Sequence, residues 1–398
     1  MNMLRDGSGP SARALPAEAF VTAEIDASDP RPARTLCDRL RGSDPAHLFL
    51  FASPAAGSDA ALGLLARELA EAMPGVQVTG CTTAGEIGAA GYVEGRIIAV
   101  ALPAAQFATR TIVIEDLGRL DGPAAADALI AARLELAQAN PGRDGGFAFL
   151  MVDGLSLRED ELVGALAPAL GRMPLFGGSA GDGTRFSRTV LLHEGRVLRD
   201  AALVTLVVTD YRTRVFSLNH LRATDLRMVV TGADPARRIV KEINAEPAGR
   251  EYARIVGKDP DQLDEFTFAA NPVVVRLGDQ CHVRAIQRVN AAGELVFFSA
   301  IDEGMVLTVA EPEDMADHLD RSLAELGAGG APAGILACDC ILRRIEAEQG
   351  QQTRRVSDVL ARHGVRGFSS YGEQVGPMHL NQTLTGVALF PPAGGAGG

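Results

Sequence analysis

The chain reads as an α/β protein of two domains built from repeated strand-helix-strand units, with mixed sheets and antiparallel hairpins. Three observations predict this. A small hydroxyl-glycine-acid stretch occurs three times, at Thr83-Ala84-Gly85-Glu86, Ser179-Ala180-Gly181-Asp182 and Ser370-Tyr371-Gly372-Glu373. Each copy follows an apolar run, a helical stretch and a second short apolar run, a spacing of roughly 25 to 30 residues that suits one strand-helix-strand unit. Turn-punctuated β-rich sequence then lies between the second and third copies.

In the first unit the apolar runs are His47 to Phe51 and Val76 to Gly80, around a helix from Asp59 to Met73 that puts Leu62, Leu65, Leu69 and Met73 on one face. The second has Phe147 to Val152, a helix from Glu159 to Leu170, and Leu175 to Gly178. The third has Ile335 to Cys338, one helical run from Ile341 to His363, and Val365 to Phe368. A further helix is expected over Ala124 to Gln138, and hairpin-like material follows the first two loops. Asp234-Pro235 reads as a helix start and predicts a helix over Ala236 to Asn244. Beyond Pro272 come antiparallel strands turning at Gly278-Asp279, Ala292-Gly293 and Glu303-Gly304. The expected organisation is a loose leader over 1–30, an N-terminal domain over 31–225, a C-terminal domain over 226–390, and a Pro-Gly-Ala tail over 391–398.

Composition narrows the function. The 398 residues are 47% hydrophobic with no tryptophan, so the cores rest on Ala, Val, Leu and Ile. A formal charge of −12 without a basic stripe argues against nucleic acid as partner. Lys241 and Lys258 are the only lysines and neither follows a glycine-rich phosphate loop, which argues against P-loop and Schiff-base chemistry. No stretch has the length of a membrane span or the pattern of a secretory signal, so a cytoplasmic protein without membrane attachment is expected. Five scattered cysteines do not form a disulfide framework, and Cys338 and Cys340 lack the spacing of a zinc site.

The loops offer a hydroxyl, a flexible glycine and a carboxylate at strand ends, where ligands bind in α/β layers. Thr83, Gly85, Glu86, Gly178, Ser179, Asp182, Ser370, Tyr371, Glu373 and Asn381 are therefore the candidate ligand-binding residues; the alternative is that these acids and hydroxyls bond their own turns. Gly177-Gly178-Ser179-Ala180-Gly181 matches the G-x-S-x-G nucleophile elbow, which keeps a hydrolase using Ser179 as an alternative. The sequence after it enters another strand, not the helix an elbow requires, and no catalytic residue is assigned. His282 is expected to face solvent, and His47, His193, His318 and His363 to be ordinary surface residues. His220 lies in an apolar stretch near the domain junction and His379 follows the third loop copy, each either a metal or haem ligand or an ordinary histidine.

The order of several motifs identifies a family. Gly80 to Ile87 with Leu175 to Asp182 resembles the N-terminal half of FIST proteins. Glu242 to Ala248, Cys340-Ile341-Leu342-Arg343-Arg344, Tyr371 to Gln374 and Asn381-Gln382-Thr383 resemble the C-terminal half. The resemblance covers roughly residues 30 to 390. It implies a non-enzymatic bacterial signal-input protein that binds a small ligand, proposed for some members to be an amino acid. The stretches Val229 to Arg238 and Ala300 to Gly304 are similar to the NosP branch of haem-bound nitric oxide sensors, which report to a separate histidine kinase or cyclic-di-GMP enzyme. That likeness implies haem b held without covalent attachment, with His220 as first and His379 as second choice of axial ligand. A haem-free sensor of amino acids or another metabolite is the alternative.

Overall fold

A computed structural model describes residues 18–277 and 280–391. Three six-stranded sheets share one strand order. The centre of each is a parallel pair joined by a helix: Pro45–Ala52 with Gln77–Thr82, Gly145–Val152 with Leu175–Ser179, and Gly334–Cys340 with Val365–Ser370. Antiparallel to the first strand of each pair runs the unit's last strand, Arg96–Pro103, Ala201–Thr209 or Leu384–Phe390. Outside that lies the unit's own first strand, Val21–Asp26, Phe107–Glu115 or Arg212–Leu218.

The other edge of every sheet is closed by a hairpin from a different unit. Leu191–His193 with Arg196–Leu198, from the second unit, pairs with the first unit's Gln77–Thr82. Glu373–Val375 with Met378–Leu380, from the third, pairs with the second unit's Leu175–Ser179. Glu86–Gly88 with Gly91–Val93, from the first, pairs with the third unit's Val365–Ser370. The three units thus close a ring, each covering the strand edge its neighbour would otherwise expose.

The inner faces of the sheets meet in one aromatic core that contains Phe49, Phe51, Phe149, Phe176, Leu336 and Phe368. Phe51 lies 4.8 Å from Phe368 and 6.3 Å from Phe149 between ring centroids, so all three units touch there. Helices cover the outer faces, and burial on both sides explains the continuous apolar strands. The same glycine recurs in each unit for one steric reason. A Cβ at Gly80 or Gly177 would fall 2.3 Å from the Leu50 or Leu150 carbonyl oxygen, and one at Gly367 would fall 1.8 Å from that of Ala337.

Between the strand Arg212–Leu218 and the helix Met315–Leu326 the third unit carries an insertion, an antiparallel sheet with its own core around Met228, Val240, Tyr252, Phe297 and Leu307. The boundary expected between residues 225 and 226 falls inside Leu221–Asp234, the strand that opens this sheet. The α/β class with mixed sheets and hairpins stands as read.

Several local expectations are corrected. Residues 18–30 are not loose: Val21–Asp26 pairs with Arg96–Pro103 because Ala23 and Ile25 alternate into a core. The start of the expected leader and the tail from residue 392 lie outside the described residues, as does the Gly278-Asp279 turn. Ala236 to Asn244 is a short 3₁₀ turn and the strand Ile239–Ile243, since Ile239, Val240 and Ile243 suit a pleated surface and Arg238 takes φ 54°. The helix from Ile341 to His363 is two helices, Ile341–Gln349 and Thr353–Arg362, broken after Gly350 where Gln351 has φ 54°. His47 and His282 are buried, the former bonding Thr79 and Thr109 across two sheets.

Candidate functional site

The three loops meet at one end of the ring and bond one another through backbone. Ala84 N–H donates to Ser369 O at 2.8 Å, Tyr371 N–H to Ser179 O at 3.1 Å, and Gly181 N–H to Thr82 O at 3.0 Å. Ser369 N–H donates to Gly85 O and Ser179 N–H to Gly372 O in return. The repeated residues therefore come together.

Two of the three acids serve as internal pins. Glu86 accepts from the Thr83 hydroxyl and from Arg96 N–H. Glu373 accepts from the Ser370 hydroxyl and from the Thr383 hydroxyl and N–H. Both carboxyls are wholly buried, which pushes Glu86 up to about 7 and Glu373 up to about 8 against those bonds. Asp182 differs. Burial raises it, but bonds from Tyr371, Ser187 and Arg188 outweigh this and hold it below the usual carboxylate range. The Tyr371 hydroxyl donates to the Asp182 carboxylate and accepts from Asp182 N–H and Phe186 N–H, so it clasps the second loop to the third.

A cavity of about 570 Å³ opens beside this junction. Thr83 to Glu86 and Asp182 to Arg185 form one side, and Ile341, Arg344, Ile345 and Glu348 of the helix Ile341–Gln349 form the other. Arg344 is buried, bonds Val93 O and Glu94, and lies 5.1 Å from the Tyr92 ring centroid. Gly85 is required there, because at φ 138° a Cβ would fall 2.0 Å from an Arg344 guanidinium nitrogen. The volume lies within the range of small-molecule sites, and cationic, anionic and hydroxyl groups share the walls.

The third loop is not in this cavity. Tyr371 faces a neighbouring one, while Ser370, Glu373 and Asn381 are fully buried behind the loops. Gly178 is a packing residue: a Cβ there would fall 2.7 Å from Cys338 Sγ. Ser179 is also fully buried, and its hydroxyl accepts from the Gln374 amide at 3.0 Å, a donor that cannot act as its base. Sequence reasoning missed Arg185, Arg344, Ile345 and Glu348. The Cys340 to Arg344 run had carried the family likeness, but only the helix it opens shows that Arg344 turns toward the loops.

The histidines do not fit an axial haem ligand as placed. His220 is buried with Nε2 2.7 Å from Glu346 and Nδ1 2.9 Å from Arg343, so both ring nitrogens are engaged. His379 has Nδ1 3.1 Å from the Gln374 amide, and its ring packs so closely on Gly372 that a Cβ there would fall 2.3 Å from Cε1. Among the described residues no cluster of three His, Cys, Asp or Glu side chains could hold a metal ion, and no helix is long and apolar enough to cross a membrane.

Comparison with curated proteins gives no match. Two family models do match: the FIST N domain over residues 46–246 and the FIST C domain over residues 248–376. FIST domains are sensory domains of signal transduction that bind small ligands. With both halves matched in order across most of its length, this chain belongs to the FIST family.

Proposed function

We propose that this protein is a signal-input module that binds a small polar ligand in the 570 Å³ cavity and reports to a separate protein. The observation that carries this is the meeting of two repeated loops and the helix Ile341–Gln349 around one ligand-sized space. Its walls mix Arg185 and Arg344 with Glu94, Glu348 and several hydroxyls, which suits a molecule bearing both charges, such as an amino acid. Binding between the first and second loops and a helix of the third unit would favour one relative placement of the units, and a partner reads that surface. A histidine kinase or cyclic-di-GMP enzyme is the partner class that the family likeness suggests.

A thermal-shift screen of amino acids and related metabolites tests this. A ligand should raise Tm in a concentration-dependent way, and Arg185→Ala with Glu348→Gln, both exposed positions, should abolish the shift without altering the unliganded Tm. No shift with any metabolite, or the same shift in the variant, overturns the reading.

The haem and nitric oxide form of the reading rests on the resemblance to the NosP branch. It requires His220 to leave Glu346 and Arg343. Hemin titration decides it: a Soret band that moves with nitric oxide and weakens in His220→Ala supports that form, and a colourless protein removes it.

A further inference from the structure

A second pair of cavities lies where the inserted sheet meets the ring. One, of about 300 Å³, has apolar walls that include Phe186, Phe268, Phe298, Leu342 and Ile345. The other, of about 510 Å³, is bordered by Arg237, Arg238, Phe298 and Tyr371. Phe186, Gln287, Arg288 and Phe298 border both, so the two cavities adjoin along these side chains.

The acid that borders the second cavity, Glu159, is taken up by one arginine. Arg238 is buried and paired with Glu159 at 2.8 Å. Arg237 and Arg288 have no hydrogen-bond or ion-pair partner among the described residues, in a chain whose formal charge is −12. Both are exposed, and the arrangement is a pair of solvated guanidiniums at the rim of an aromatic chamber, open to an arriving anion. It matches an amphiphile whose apolar body is desolvated by the rings and whose anionic head is met by arginine.

We infer that this seam binds a compact organic anion with a flat, aromatic body, its anionic group at Arg288 and Arg237 and its ring system against Phe186 and Phe298. The site adjoins the cavity assigned above, sharing Thr184 and Ile345 with it, but Phe186, Phe298, Arg237 and Arg288 line only the seam. Phe186 stacks on Tyr371 with ring centroids 4.3 Å apart and takes φ 48°, a left-handed backbone uncommon for a bulky residue. An occupant of the seam therefore presses on the residue that covers the Tyr371 to Asp182 clasp, and the inserted sheet is placed to report on the junction of the loops.

The test uses the whole chain and 2-naphthoate as probe, followed by its own fluorescence, which the absence of tryptophan leaves free of that background. Saturable binding is expected, with neutral 2-naphthalenemethanol weaker by about tenfold, the loss of one charge-assisted contact. Arg288→Gln should weaken naphthoate by a similar factor and leave the alcohol unchanged. Phe298→Leu should weaken both, with circular dichroism confirming the fold, and Arg185→Ala in the other cavity should weaken neither. Absence of saturable binding, equal affinity for 2-naphthylmethylamine, or an Arg288→Gln variant that binds naphthoate like the wild type overturns the inference.

Discussion

Replacing Glu373 by glutamine should change how stability depends on pH more than it changes stability at any one pH. In the folded chain burial moves this carboxyl from 4.5 to about 8, although three donors surround it. Between those values the unfolded chain has released the proton and the folded one has not. Stability therefore falls as pH rises through this window, and the loss is complete above the folded value. At about 1.4 kcal/mol per pH unit the window is worth on the order of 5 kcal/mol, an upper figure that relaxation around the ionised group would reduce. Glu86, moved from 4.5 to about 7, adds a smaller loss of the same sign. A glutamine side chain keeps the shape, can accept from Thr383 and donate to the Ser370 hydroxyl, and carries no proton to lose. Urea unfolding measured from pH 5 to pH 9 should fall steadily for the wild type, less for Glu373→Gln, and least for the double variant with Glu86→Gln. Parallel curves for wild type and double variant would refute the assignment of these acids as buried, protonated pins.

Acid should weaken the fold through a different residue. His47 is buried against Thr79 and Thr109, and burial lowers it from 6.5 to about 3, so stability is lost as pH falls below 6.5; in His47→Gln the slope of unfolding free energy between pH 6 and pH 4 should shrink. Gly177→Ala should cost about 3 kcal/mol in chemical unfolding, because its Cβ would meet the Leu150 carbonyl oxygen inside a central strand pair. Arg238→Ala leaves Glu159 buried without its guanidinium and should destabilise the seam by about 3 to 5 kcal/mol, seen as faster amide exchange in residues 286–300 while the strands of the ring stay protected.

The sequence disclosed the three-part plan because each unit repeats the same steric requirement. Apolar strands, a helix, a glycine that lets neighbouring backbone pass, and a hydroxyl three residues before an acid are all local features, and the repeat made them visible together. What it could not disclose was the exchange of hairpins. Glu86–Gly88 with Gly91–Val93 reads as a hairpin in isolation, and nothing local says that its partner strand is Val365–Ser370, some 280 residues away. The separate roles of the acids were hidden for the same reason. Glu86, Glu373 and Asp182 share a pattern and all three are buried, yet the first two are held by their own loop hydroxyls while Asp182 is clasped by Tyr371 from another unit. Residues that look like ligand contacts in a repeat are the ones that hold the repeat together.

This division has a consequence for where sensing can occur. A pin that fixes a loop cannot also move with a ligand, so the responsive groups must be those that break the three-way pattern. Three features do so: Tyr371 in place of the alanine at position 84 or 180, the segment from Gly183 to Arg188 with Phe186 in a left-handed turn, and the inserted sheet carried by the third unit alone. They adjoin one another, through the stacking of Phe186 on Tyr371 and its 5.9 Å ring contact with Phe298. The symmetric part of the ring supplies rigidity, and the departures from symmetry converge on the one place where a bound molecule could change how the inserted sheet rests on the loops.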